Sequence, residues 1–158
     1  MNGLCLLRSC GLGVTAGFLR DGLLWALLLA GALLALGAGY AYPALFPSVP
    51  ASGAWLIGLA LWQPLTEEIV FRGILQNALG DMTRHKSWHR LTAANLIQAL
   101  AFALSHTIHH PTAWALAMIP TGLVFGYLRE RHHHIGGAFL THAIWNLMYF
   151  WALPTVLS

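Results

Sequence analysis

The chain has 158 residues, of which 58% are hydrophobic and only 8% charged, far below the roughly 25% charged content of a soluble domain. Its net charge of +3 and pI of 9.2 come without a basic patch interleaved with exposed aromatics, which excludes a nucleic-acid partner and places the chain in a lipid bilayer. Cys5 and Cys10, the only two cysteines, form no CxxC or lipidation pattern and are read as inert.

In chain order, residues 1–20 suggest an interfacial helix, and no cleavable signal peptide is evident, so the first long apolar run, Gly22 to Ala41, reads as a span. It ends in Tyr40-Ala41-Tyr42-Pro43. A second span runs from about Ser52 to Gly80, longer than a bilayer needs, with Pro64 placed to kink or divide it. The third covers about Leu91 to Ile108, the fourth about Thr112 to Arg129 after a tight His109-His110-Pro111 turn, and the fifth about Gly136 to Leu153. Gly122, Gly126 and Pro120 in the fourth read as close-packing and kink features. The expected fold is an all-α polytopic membrane helical bundle with about five transmembrane helices. Residues 1–158 form one domain, and the motifs fall within about 52–150.

The basic residues orient these spans. Apart from Arg72, every Lys and Arg lies before span one (Arg8, Arg20), between spans two and three (Arg84, Lys86, Arg90) or after span four (Arg129, Arg131). With about five spans those segments share one side, so the N-terminus is expected inside and the C-terminus outside.

Inside the second span stand Glu67, Glu68 and Arg72, which would together cost about 8–10 kcal/mol if ionised and unpaired at mid-membrane. Glu68 and Arg72 are i and i+4 with the acid first, the order in which they neutralise each other. Glu67 points about 100° away and lacks that partner, as a general base requires. Span three carries a polar stripe of Asn95, Gln98, Phe102, Ser105, His106 and His109, in which His106 suits proton transfer near neutral pH. Span five sets His142 and Asn146 on one face, two N–H donors that can form an oxyanion hole, with Trp145 and Tyr149 nearby.

Other designs lack their residues. Ser105 and His106 are adjacent and point apart on a helix, GxSxG and HExxH are absent, and Asp21 and Asp81 lie at span ends rather than as a dyad. Zinc held by Glu67, His106 and His142 remains a mechanistic rival. A non-catalytic membrane immunity or binding protein is the alternative from another class, and a cation carrier is disfavoured because no inverted repeat is present.

Glu67-Glu68-xxx-Arg72, Phe102-xxx-His106 and His142-xxx-Asn146, in that order on successive helices, resemble the three signature motifs of the CPBP family, the type II CAAX prenyl endopeptidases and their bacteriocin-processing relatives. The resemblance implies a glutamic intramembrane protease with no resident cofactor. In it Glu67 with His106 activates the water, His142 and Asn146 form the oxyanion hole, and Glu68, Arg72 and Phe102 support the site. It also implies a bacterial cytoplasmic (inner) membrane and a membrane-anchored protein or peptide substrate. About five spans are fewer than eukaryotic members have, which puts prenylated substrates in doubt. The segments His109–Leu116 and Phe125–Arg131 resemble a bacterial subgroup linked to JDVT-type C-terminal sorting signals, so the expected reaction is trimming of such a signal.

Along straight spans at 1.5 Å per residue, His142 would lie about 10 Å from the inner end and His106 over about 20 Å from it. A tilted or broken helix is needed to bring them together.

Overall fold

The computed structural model describes residues 11–41, 54 and 57–152. Among them the fold is all-helical apart from one small hairpin. Helix α1 is Gly22–Ala41. Helix α2 is a consecutive run of a π-helical turn Gly58–Trp62, an α-helical turn Gln63–Glu68, a second π-helical segment Ile69–Leu75 and an α-helical end Gln76–Met82. Helices α3, Ala93–His106, and α4, Thr112–His132, follow. Helix α5 is Gly136–Leu147, prolonged by a π-helical turn Met148–Ala152.

Helix α1 has the bounds expected of the first apolar run. Its start is fixed by Asp21, whose Oδ1 accepts from the Leu23 N–H at 3.1 Å. The third element departs from expectation at its N-terminal end, because Leu91–Thr92 (β2) pairs antiparallel with Ser87–Trp88 (β1) instead of opening the helix. Thr92 then caps α3, its Oγ1 accepting from the Asn95 N–H at 3.0 Å. The suggested helix over residues 1–20 is represented among the described residues by a 3₁₀ turn, Ala16–Arg20. Cys5, Cys10, Ser52, the Pro43–Pro50 segment and Leu153 lie outside the described residues.

Among the described residues no helix is long and apolar enough to cross a membrane, a correction to the expected spans. For α2 to α5 the reason is visible in the elements. Helices α3 and α5, of 14 and 12 residues, rise about 18–21 Å against a hydrocarbon core of about 30 Å. Helix α2 is divided by its π turns, and α4 ends in Arg129, Glu130, Arg131 and His132. Pro120 sits within α4 without ending it.

The core lies where α1, α4 and α5 meet, with Leu24, Phe125, Leu128 and Ala138 fully buried and Leu27, Val124, Leu140 and Trp145 packed around them. Helices α3 and α4 approach closely because Gly122 and Gly126 lack side chains. A Cβ at 126 would stand 2.0 Å from Asn95 Oδ1, and one at 122 would stand 3.1 Å from the Ala99 backbone. The notch admits polar side chains that then bond to α4 carbonyls. Gln98 Nε2 donates to Gly122 O at 3.0 Å and Asn95 Nδ2 to Leu123 O at 3.2 Å.

A clasp closes the charged end. Asp21 accepts from Arg131 Nε and Nη2 at 2.5 and 3.0 Å and pairs with His132 Nε2 at 2.9 Å. The Arg131 hydrogen bond, then that of His132, holds the Asp21 carboxyl well below the usual carboxylate range. The clasp ties the start of α1 to the end of α4, beside the left-handed His133 (φ 57°) that terminates α4.

Candidate active site

Glu68 and Arg72 are both fully buried, one turn apart on α2, and Arg72 Nη1 donates to Glu68 Oε1 at 3.1 Å. The guanidinium also reaches Gly122 O through Nη2 at 3.3 Å and lies 4.3 Å from the Phe102 ring centroid and 5.2 Å from that of Phe125. Cation–π contact and the α4 carbonyl thus replace the water that a buried arginine has lost.

Glu68 Oε1 takes a second partner from α5, the His142 Nδ1 at 2.8 Å. That bond fixes the imidazole so that Nε2 turns toward Glu67, whose Oε2 is 3.7 Å away. Phe125 stacks on the opposite side of the ring, centroids 4.6 Å apart with planes 21° from parallel. Glu67 Oε2 and His142 Nε2, 3.7 Å apart, can each hydrogen-bond, at about 2.8 Å, to one shared oxygen. Glu67 Oε1 is held by Gln63 Nε2 at 2.9 Å, while Oε2 is buried with no hydrogen-bond partner among the described residues. The two neighbouring carboxylates therefore differ in kind. One is neutralised by a guanidinium, and the other presents a lone pair to the space beside an imidazole.

His106 makes its own contacts on α3. Its Nδ1 lies 2.8 Å from the Phe102 carbonyl of its own helix, and its ring meets the Phe102 ring at 4.6 Å. His142 meets the same Phe102 ring at 6.0 Å. Phe102 therefore contacts both imidazoles, and among the described residues no direct hydrogen bond or ion pair joins Glu67 to His106. His142 lies beside Phe102, and His106 stands one turn further along α3. Nor do three His, Cys, Asp or Glu side chains converge as a metal-ligand set among the described residues.

Asn146 donates one amide hydrogen to Leu59 O on α2 at 3.0 Å. Here the π turn matters. Its i to i+5 pattern, seen in Gln63 N–H donating to Gly58 O, directs the Leu59 carbonyl at Pro64, which has no N–H. Asn146 satisfies that carbonyl and keeps its second hydrogen available. Sequence reasoning missed Phe125 and Gln63. Gln63 stands i−4 to Glu67 and could have been found by helical spacing, whereas Phe125 carries no signal beyond apolarity.

Paired carboxylates meeting the His142 imidazole inside an all-helical bundle are groups capable of acid–base chemistry. The chain belongs to the family of type II CAAX prenyl endopeptidases, Rce1-like, which matches residues 49–148. It is accordingly a peptidase, an intramembrane endopeptidase in a family of membrane proteins. Every residue of the site falls inside the matched stretch, and α1 falls outside it. No curated protein and no solved structure matches the chain.

Proposed function

We propose that the chain is a glutamic intramembrane endopeptidase that needs no metal and hydrolyses a peptide bond near the C-terminal hydrophobic signal of a membrane-anchored protein. The observation that carries this reading is the asymmetry of the two glutamates, Glu68 being tied to Arg72 and His142 while Glu67 Oε2 faces His142 Nε2 at 3.7 Å. In this reading Glu67 takes a proton from water as the oxygen attacks the scissile carbonyl. The oxyanion forms against the second Asn146 N–H and the Nε2–H of a His142 ring that is cationic in this step, its Nδ1–H donating to Glu68, and the proton then passes from Glu67 to the leaving amine. His106, with Nδ1 turned to its own helix, keeps Nε2 for the role of partner in that proton transfer.

The bundle is read as multi-pass in a bacterial inner membrane, N-terminus inside and C-terminus outside. What supports this is the inversion of a soluble protein's pattern. Leu33 and Leu34 of α1, Trp62 and Ile74 of α2 and Leu104 of α3 are exposed, whereas Glu68, Arg72, Asn95, Gln98 and His142 are buried. The clustering of Lys and Arg on the helix connections supports the orientation. The substrate is read as a protein whose signal is itself a membrane segment, with no nucleic acid involved.

The deciding experiment is cleavage of a membrane-anchored candidate substrate by the purified protein and by its Glu67→Ala form, with zinc measured in the same preparations. His109, His110 and His133, which are exposed, are replaced beforehand, because surface imidazoles bind metal adventitiously. The expected result is cleavage by the Glu67-containing protein alone, with substoichiometric zinc and activity retained after dialysis against chelator. One tightly held zinc per chain, lost and restored with activity, overturns the metal-free mechanism.

Asn146→Ala is expected to lower kcat by about 10²–10³-fold, the scale for one oxyanion donor, with KM little changed. An unaltered kcat together with lower thermal stability would reduce Asn146 to its tie with Leu59.

A further inference from the structure

The catalytic imidazole is backed by a relay of rings that ends on a helix outside the family-matched residues. Phe125, fully buried, stacks on His142 with centroids 4.6 Å apart, and Trp145 packs on Phe125 at 5.3 Å. Trp145 is in turn held by α1, its Nε1 donating to the Leu28 carbonyl at 3.1 Å. One turn along, the indole lies over Gly31, where a Cβ would stand 2.0 Å from Trp145 Cε2 and 2.2 Å from Cζ2. Only glycine at 31 lets the indole lie directly on the helix backbone. The Leu28 carbonyl and the Gly31 surface together fix both the height and the tilt of the indole, which would otherwise turn about its two side-chain torsions. Interiors this tightly packed transmit displacement instead of absorbing it.

We infer that Trp145 is a positioning residue for the hydrolysis and that α1, through Leu28 and Gly31, is the element that sets it. The inference rests on the reading that His142 acts on the reacting oxygen. The polar contacts of His142, to Glu68 and Glu67, fix the imidazole by its edge nitrogens only. Rotation about the axis through them is stopped by Phe125 stacked on the face, and Phe125 is stopped by Trp145. A bundle without α1 would hold every motif residue and still leave that face unsupported.

The test uses the full chain. Gly31→Leu drives a branched side chain into the indole, and the expected result is a fall in kcat of about 10–10²-fold, the scale of a displacement of about 1 Å at the reacting centre. KM stays within about twofold, and the pH dependence of kcat shifts because the imidazole environment changes. Trp145→Phe keeps a ring but loses the Leu28 bond, and it is expected to fall between wild type and Gly31→Leu in both readouts. Once Trp145 is Ala, adding Gly31→Leu should cost nothing further, since the side chain enters vacated space. His142→Ala serves as the reference. If it retains activity, the reading of the site fails, whatever Gly31 does. If it is inactive while folded Gly31→Leu and Trp145→Phe both keep wild-type kcat and pH profile, the relay alone is overturned. Costs at Gly31 and Trp145 that multiply independently overturn it as well. Should Gly31→Leu not fold, Trp145→Phe decides by the same two readouts.

Discussion

Glu67→Gln leaves a folded protein whose peptidase turnover falls by at least about 10²–10⁴-fold, the range for losing one general base. The fold is expected to survive because the only hydrogen bond the side chain makes among the described residues is accepted at Oε1 from Gln63 Nε2, 2.9 Å away, and the substituted amide keeps an oxygen there. Activity is lost because the other carboxylate oxygen, which faces His142 Nε2 at 3.7 Å, becomes either an amide N–H or a weakly basic carbonyl. Neither accepts a proton from water at neutral pH. Melting temperature and detergent monodispersity are measured alongside turnover, so that an unfolded variant is not mistaken for an inactive one. Near-wild-type cleavage by a well-folded Glu67→Gln protein removes Glu67 from the chemistry and leaves the glutamic mechanism without its base.

Helical spacing made the local half of this site legible. Glu68 and Arg72, four residues apart, had to meet if the segment was a helix, and they do, at 3.1 Å. The bond that orients the site was not legible. His142 and Glu68 are 74 positions apart, and no periodicity within one helix states which neighbour its polar face will meet. The pairing of Glu67 with His106 is implied by the order of motifs, and helical spacing alone does not state it. His106 Nδ1 turns to the carbonyl one turn back, a choice open to any helical histidine.

The same division holds for the fold. The unbroken run Gly22 to Ala41 gave α1 its bounds because nothing in it competes with a helix. Leu91–Thr92 looked helical from its apolar and capping neighbours, but a two-residue strand has no period to read, and the hairpin is set by backbone pairing with Ser87–Trp88. Pro64 signalled a disturbance without giving its form. The outcome is a π turn just before it that redirects the Leu59 carbonyl to Asn146, so a sequence irregularity in α2 becomes a tether for α5.

Arg72→Met is expected to destabilise the protein by about 3–5 kcal/mol, the range for removing one partner of a buried ion pair. Arg72 and Glu68 are both 0% exposed, so the carboxylate left behind has no water to turn to and retains only His142, at 2.8 Å, as partner. The lost guanidinium also vacates its seat 4.3 Å from Phe102. Arg72→Lys keeps the charge but neither the planar stacking nor the bond to Gly122 O, and it should fall between wild type and Arg72→Met. Combining Glu68→Gln with Arg72→Met removes the uncompensated charge, so the pair should recover much of the stability lost by Arg72→Met alone. Activity should not recover with it, because His142 Nδ1 then faces an amide in place of a carboxylate and its orientation toward Glu67 is no longer enforced. Denaturant or thermal unfolding in detergent and turnover on one substrate separate the two effects. An Arg72→Met protein as stable as wild type would show that Glu68 is not held as a buried anion. A double variant regaining both stability and activity would show that the ion pair supports packing alone.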